Sequence, residues 1–254
     1  MPRLDDDAPA IRATDLSLAR GGVRVVDGAT FTLERGGALA LMGPTGAGKS
    51  SLAAILSGIR QDSLTVAGGD ATVEGISVRR GGRKLRVRGY VTGYLAQGAG
   101  SNLPARLTVS DVIGEPITAR DRRVNSRALA IRVAGLLDEL ELPLGAAAKY
   151  PYELSSGMRQ RVALARALVL QPRVFVGDDP YANLDLEVRR AARDALLRRR
   201  DTDGMAILLV TNDPDAVREL DADVLVLHGG HTVGYGHGAD ELLWTPDGRD
   251  RLAS

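Results

Sequence analysis

The chain has 254 residues, 44% of them hydrophobic and 26% charged, with a net charge of +1. It is long enough to bury a full core as one domain, and its near-neutral balance gives no general reason for a nucleic-acid or membrane-surface partner. Cysteine is absent, which excludes a disulfide framework and thiolate metal sites.

The opening "MPRLDDDAPA" is acidic and has no apolar core, so it is not read as a signal peptide. No apolar run approaches the roughly 18 residues that would cross a bilayer. "IRATDLSL" alternates as a strand does, and "ATFTLERGG" is expected to be a second strand ending in a glycine turn. "ALALM", residues 38–42, is a short continuous apolar run, the pattern of a strand buried on both faces. It runs into "GPTGAGKS", which fits the phosphate-loop pattern G-x-x-x-x-G-K-[ST] from Gly43 to Ser50, and a helix is expected from Lys49 to about Leu56. In such a loop Gly46 and Gly48 let successive amides of Thr45, Gly46, Ala47 and Gly48 point inward at phosphates. The helix start, with Ser51, adds its partial positive charge. Lys49, one of only three lysines against 30 arginines, then reaches the β- and γ-phosphates of ATP, and the Ser50 hydroxyl ligates Mg²⁺.

A sheet-like stretch follows, carrying Arg79, Arg80, Arg83, Lys84, Arg86 and Arg88 as a solvated basic face, and leads to "YVTGYLAQ". Aromatics make up 4% of the chain, too few for a base-stacking platform of the single-strand-binding kind. Residues 107–170 carry a helical pattern, including "SRALAIRVAGLLDELEL" and "GMRQRVALARALVL". Two buried strands, "RVFV" and "MAILLV", flank the helix "LEVRRAARDALLRRR", whose Arg198–Arg200 cluster is expected in the last turn, where cations complement the helix dipole. The first of these strands ends in "GDDPYANLD". Asp178 closes it where a phosphate-loop enzyme places the acid that holds the Mg²⁺ shell. Strands alternating with helices predict an α/β core with a helical insert.

Between the phosphate loop and this acid pair lies "YPYELSSGMRQRVALARAL", residues 150–168, which resembles the signature segment of ABC ATPases (LSGGQ continuing into RQRVAIARAL). With "GPTGAGKS", Gln97, "GDDPYANLD" and "LLVTND" in family order and spacing, the chain resembles an ABC transporter nucleotide-binding subunit from residue 11 to about 240. "SNLPARLTVSDVIGEPI" and "YPYELSSGMRQR" are similar to the branch serving oligopeptide, dipeptide and nickel importers, though "LLWTPDGRDRLAS" lacks that branch's longer C-terminal extension.

The resemblance implies a RecA-like P-loop NTPase core with an N-terminal antiparallel β-subdomain (residues 1–97 and 161–254) and an inserted α-helical signature subdomain (98–160). It implies a head-to-tail dimer sandwiching two ATPs, with Ser155, Ser156 and Gly157 acting on the partner's γ-phosphate and Asp185 in the loop that crosses the interface. Gln97 resembles the residue that touches Mg²⁺ and the attacking water and moves with the transmembrane part. The implied partners are a second ABC ATPase subunit, two permease subunits and an external substrate-binding protein, at the cytoplasmic face of the membrane, with no nucleic acid. A regulatory nucleotide-binding ABC protein and an exporter remain alternative readings. A soluble ABC ATPase of DNA repair would need a long coiled coil or zinc modules, which this insert lacks.

Four positions depart from the family pattern. Asp179 stands for the Glu that orients the attacking water and is one methylene, about 1.5 Å, shorter. Asn212 stands for the switch histidine and cannot carry a proton; the three histidines lie at 228, 231 and 237. Arg20, 23 residues before Gly43, stands where an aromatic stacks on adenine. Ser156 replaces the first signature glycine. Asp179 and Asn212 together imply a site that binds ATP and hydrolyses it slowly, with this chain's signature completing a competent site on a non-identical partner.

Overall fold

The structure is a computed structural model whose described residues are 8–181 and 184–245. The acidic opening residues, Ala182 and Asn183 of "YANLD" and most of "LLWTPDGRDRLAS" lie outside that range.

Among the described residues, two sheets organise the chain. The smaller is antiparallel, in the order β2–β1–β4–β5, from β1 (Ile11–Arg20), β2 (Val23–Leu33), β4 (Leu64–Val73) and β5 (Ile76–Ser77). The larger has seven strands in the order β11–β10–β9–β3–β8–β7–β6. Its parallel part comprises β3 (Ala38–Met42), β6 (Thr92–Leu95), β7 (Val174–Asp178), β8 (Ala206–Val210) and β9 (Asp223–His228), while β10 (His231–His237) and β11 (Glu241–Trp244) are antiparallel additions.

The continuous apolar runs have a two-sided reason. Along β3, Ala38 and Ala40 pack into one core while Leu39 and Leu41 pack into the other. In β7, Phe175 faces the first core, and Val174 and Val176 the second; β8 and β9 divide in the same way. One core lies under the helices α3 (Val109–Arg120), α4 (Ser126–Glu139), α5 (Ser156–Leu168), α6 (Leu186–Asp203) and α7 (Pro214–Glu219). The other is closed by the antiparallel sheet and α1 (Lys49–Ser57), which Gly58 terminates in a left-handed cap. An ion-pair cluster joins the sheets: Glu74, fully buried, meets Arg35 at 2.9 Å and Arg173 at 3.3 Å. The division placed at 160/161 from sequence falls inside the continuous helix α5.

Two sequence expectations are corrected. The basic stretch is largely helical, not sheet-like: after the short β5, α2 runs from Gly82 to Val91. Its i,i+3 spacing turns Leu85 and Arg88 together toward Gly58. Arg88 is therefore buried rather than solvated, and donates to Ser77 O at 3.0 Å. The Arg198–Arg200 cluster also does more than complement a dipole, because α6 continues to Asp203. Arg199 pairs with Glu139 of α4 at 2.6 Å, and Arg200 donates to Leu220 O, at the end of α7, at 2.6 Å.

Candidate functional site

The loop between β3 and α1 is shaped by glycines, two of which have no room for a side chain. Gly43 adopts φ +131, and a Cβ there would lie 1.9 Å from the Leu227 carbonyl of β9. Gly48 adopts φ +100, and its Cβ would meet Val25 O at 2.4 Å. Gly46, at φ +83, faces open space. Ala47 is buried beneath the turn, its N–H bonded to Pro44 O at 3.2 Å. Lys49 Nζ donates to Gly43 O at 2.6 Å and to Pro44 O at 2.8 Å, so its ammonium lies within the curl of the loop.

The C-terminal ends of the neighbouring parallel strands bring the other groups to this loop, the usual place for a ligand in an open α/β sheet. Thr45, Gly46, Lys49, Ser50, Gln97, Asp178, Asp179 and Asn212 line one cleft of about 310 Å³. Burial lowers Lys49 and raises Asp178 from their ordinary values, and each charge partly offsets the effect on the other. The Ser50 hydroxyl beside it favours the charged form of Asp178, whereas Asp179 opposes it. Asp179 takes a left-handed backbone, φ +55, with its N–H on Val210 O at 2.9 Å. Asp tolerates this region better than most residues.

Asn212 Oδ1 accepts the Gly43 N–H at 2.9 Å. Because that donor is a backbone amide, the oxygen must face it, which leaves the Asn212 amide N–H₂ as a donor for the cleft. This bond ties the end of β8 to the first residue of the loop.

The remaining predicted residues lie outside the cleft lining. Ser51 is buried in the first turn of α1 and accepts from Arg20 Nη2 at 3.1 Å. Ser155 caps α5, accepting the Met158 N–H at 3.2 Å, and Ser156 and Gly157 form the first turn of that helix. Asp185 caps α6 through the Val188 N–H at 2.9 Å.

Residues passed over in the sequence also matter. Thr211 lines the cleft between Val210 and Asn212, and its Oγ1 accepts the Asp213 N–H at 3.1 Å. Gln160, buried on α5, accepts the Gly100 N–H at 3.2 Å and donates to Pro180 O at 3.2 Å. A single amide thus links the segment after Gln97 with the segment after Asp179. Its place within "GMRQR", three residues beyond Gly157, was the available signal. Leu227, whose carbonyl forces glycine at 43, carried none.

A second hollow, of about 500 Å³, opens beside β6. Asn102 and Leu103 of "SNLP" and Glu115 and Pro116 of "EP" line it together, with Glu115 paired to Arg166 at 2.7 Å.

The cleft's chemistry fits a magnesium nucleotide. A buried carboxylate and a serine hydroxyl lining the same cleft are a hard oxygen donor set, beside a loop with room at Gly46 for phosphate oxygens. Among the described residues no group of three or more His, Cys, Asp or Glu could hold a metal alone. Mg²⁺ uses one or two carboxylates and completes its shell with phosphate and water.

Residues 26–182 match the family model described as ABC transporter. The chain is 35% identical over 239 residues to the oligopeptide transport ATP-binding protein OppD of Mycobacterium tuberculosis, covering 91% of this chain and 37% of that protein. It is 33% identical over 243 residues to the sulfate/thiosulfate import ATP-binding protein CysA of Synechococcus elongatus, covering 94% of this chain and 65% of that one. The chain therefore spans little more than a third of the OppD proteins it matches. A solved dimeric ATP-binding cassette in a post-hydrolysis state, bound to ADP and Pi, shares the fold with a TM-score of 0.81 at 22% identity, over 89% of this chain and 98% of that one. Among the described residues no helix is long and apolar enough to cross a membrane.

Proposed function

The chain belongs to the ABC transporter family, and we propose that it is the ATP-binding subunit of a membrane importer of peptides or metal chelates, with a slow nucleotide site of its own. The observation that carries this reading is the convergence of the phosphate loop, Gln97, Asp178, Asp179 and Asn212 on one cleft.

Lys49 and the loop amides hold the β- and γ-phosphates, while Asp178, Ser50 and Gln97 hold Mg²⁺. The metal supplies charge neutralisation at the phosphates when bound. Asp179 orients the attacking water and takes its proton as oxygen adds to the γ-phosphorus and the bond to the β,γ-bridging oxygen breaks, leaving ADP and phosphate. Two features support slowness. Asp179 is short for its task, and a reacting group misplaced by about 1 Å costs on the order of 100-fold. The Asn212 amide, already engaged by Gly43, donates to phosphate without carrying a positive charge.

Ser155, Ser156 and Gly157 open a 13-residue helix outside the cleft. That placement supports their action across a head-to-tail dimer on the nucleotide of a second, non-identical subunit, with Asp185 at the same interface. The hollow lined by "SNLP" and "EP" is the seat for a cytoplasmic helix of a permease subunit. Tyr94, Leu95 and Ala96 also line it, so its occupant presses on the residue next to Gln97 and couples transport to the nucleotide. An external binding protein delivers the cargo.

Titration of Mg²⁺ and ATP into the purified chain tests the assignment. Asp178→Asn abolishes Mg²⁺-dependent binding, while Asp179→Asn leaves it intact and removes residual turnover. Equal loss in both variants shows that the two acids are assigned wrongly.

A further inference from the structure

Gln160 is buried just beyond the first turn of α5, and its amide is engaged at both ends. Oε1 accepts the Gly100 N–H at 3.2 Å, and Nε2 donates to Pro180 O at 3.2 Å. One partner is a backbone donor and the other a carbonyl, so a single orientation of the amide satisfies both. The fit at Gly100 is close: a Cβ there would lie 2.7 Å from Gln160 N and 2.9 Å from its Cα. The short 3₁₀ turn Ala99–Asn102, which follows Gln97, is thus seated directly on α5.

The other end of the tie falls beside the acid pair. Asp179 holds φ +55, a sparsely populated backbone that persists where its surroundings over-determine it. Its own N–H is fixed on Val210 O at 2.9 Å. The carbonyl of the next residue, Pro180, is fixed by Gln160. The main chain at this acid is therefore braced by β8 on one side and by α5 on the other. The 3₁₀ turn in its turn lines the hollow beside β6 through Ala99 and Asn102, as does Ala163, three residues along α5 from Gln160.

We propose that Gln160 is a positioning residue for the water-orienting acid, tying the main chain at Asp179 to the turn that lines the hollow. An occupant of the hollow that moves this turn then moves the Asp179 carboxylate by a route that does not pass through the Gln97 side chain. This rests on the nucleotide-site reading above. Gln160 lies outside the cleft lining, so its loss changes turnover and leaves nucleotide binding in place.

The test compares wild type with Gln160→Met, Gly100→Ala and the double variant. Methionine has similar length, no N–H donor and only a weak acceptor; the added methyl of Gly100→Ala pushes the turn off α5 at the far end of the tie. Calorimetric titration of Mg-ATP is expected to give a Kd within about threefold of wild type in all three. Single-turnover hydrolysis slows by about tenfold, the worth of one hydrogen bond. Hydrogen exchange at the Asp179 and Tyr181 amides quickens by about tenfold in each single variant. The double variant adds nothing to Gln160→Met, because the tie is already cut. The exchange readout decides where hydrolysis by the chain alone is too slow to time. A Gly100→Ala protein whose Asp179 and Tyr181 amides exchange as in wild type, or a double variant whose effects add, overturns the inference and leaves the ATPase reading standing. So does binding that weakens in step with turnover, the mark of a merely structural role. If folded wild type binds no Mg-ATP, the nucleotide-site reading itself falls, and this inference with it.

Discussion

Replacing Gly43 by alanine isolates how far the site depends on the fold beneath it. The new methyl would sit 1.9 Å from Leu227 O, whereas a carbon–oxygen contact requires about 3.3 Å. Leu227 is fully buried in β9, so the loop and not the strand has to give, by about 1.4 Å. That shift stretches the 2.9 Å bond from the Gly43 N–H to Asn212 beyond hydrogen-bonding range and displaces the carbonyl to which Lys49 donates. A hydrogen bond to a charged phosphate is worth about 1.5–3 kcal/mol, and φ +131 adds backbone strain of about 1–3 kcal/mol for any side chain. Gly43→Ala is therefore expected to fold and to bind Mg-ATP about 10- to 100-fold more weakly in calorimetric titration, with its far-ultraviolet circular dichroism unchanged. Gly46→Ala is the control: its φ of +83 is also positive, but nothing lies within 4 Å of the added carbon, so its loss is the smaller. A Gly43→Ala protein that binds within about threefold of wild type refutes the reasoning, and so does a Gly46→Ala protein that is equally impaired.

Two further perturbations test the charges. Burial raises Asp178 above the ordinary carboxylate value, so the folded chain holds that proton more tightly than the unfolded chain does. The stability this confers is fully present below the unfolded pKa of about 3.9 and is lost as pH rises through the folded value. At pH 7 the ionised group is a liability, and Asp178→Asn should raise the melting temperature of the nucleotide-free protein at pH 7, with the gain shrinking toward pH 4; a drop at pH 7 would contradict this. Glu74→Gln removes the charge that Arg35 and Arg173 share, and urea unfolding should show a loss of about 2 kcal/mol. That is less than a fully buried pair would lose, since both arginines keep some solvent.

The parts of the molecule legible in sequence were those where one local rule acted alone. "ALALM" became β3 with those very bounds because a strand buried on both faces leaves no polar alternative. The phosphate loop was legible because glycine is obligatory where the backbone turns through positive φ. The basic stretch failed because its fate was set in three dimensions. Nothing local announces that Arg88 will turn inward to Ser77 O beside Gly58, or that the surrounding arginines then ride a helix. The site divides in the same way. The identities of Asp178, Asp179 and Asn212 could be read from the chain. The left-handed backbone of Asp179 and the bond from the Gly43 N–H to Asn212 arise from contacts with β8 and the residues after it, which no spacing rule records.

The central claim is that Asp179 and Asn212 make this a site that binds nucleotide and turns it over slowly. The measurement that bears on it most directly is steady-state ATP turnover by wild type beside Asp179→Glu/Asn212→His, at protein concentrations spanning dimerisation. The account predicts wild-type turnover well below about 1 s⁻¹, the low end for ordinary enzymes, and a double variant at least about tenfold faster once dimers form. Wild-type turnover above that rate, unchanged by the two substitutions, would contradict it.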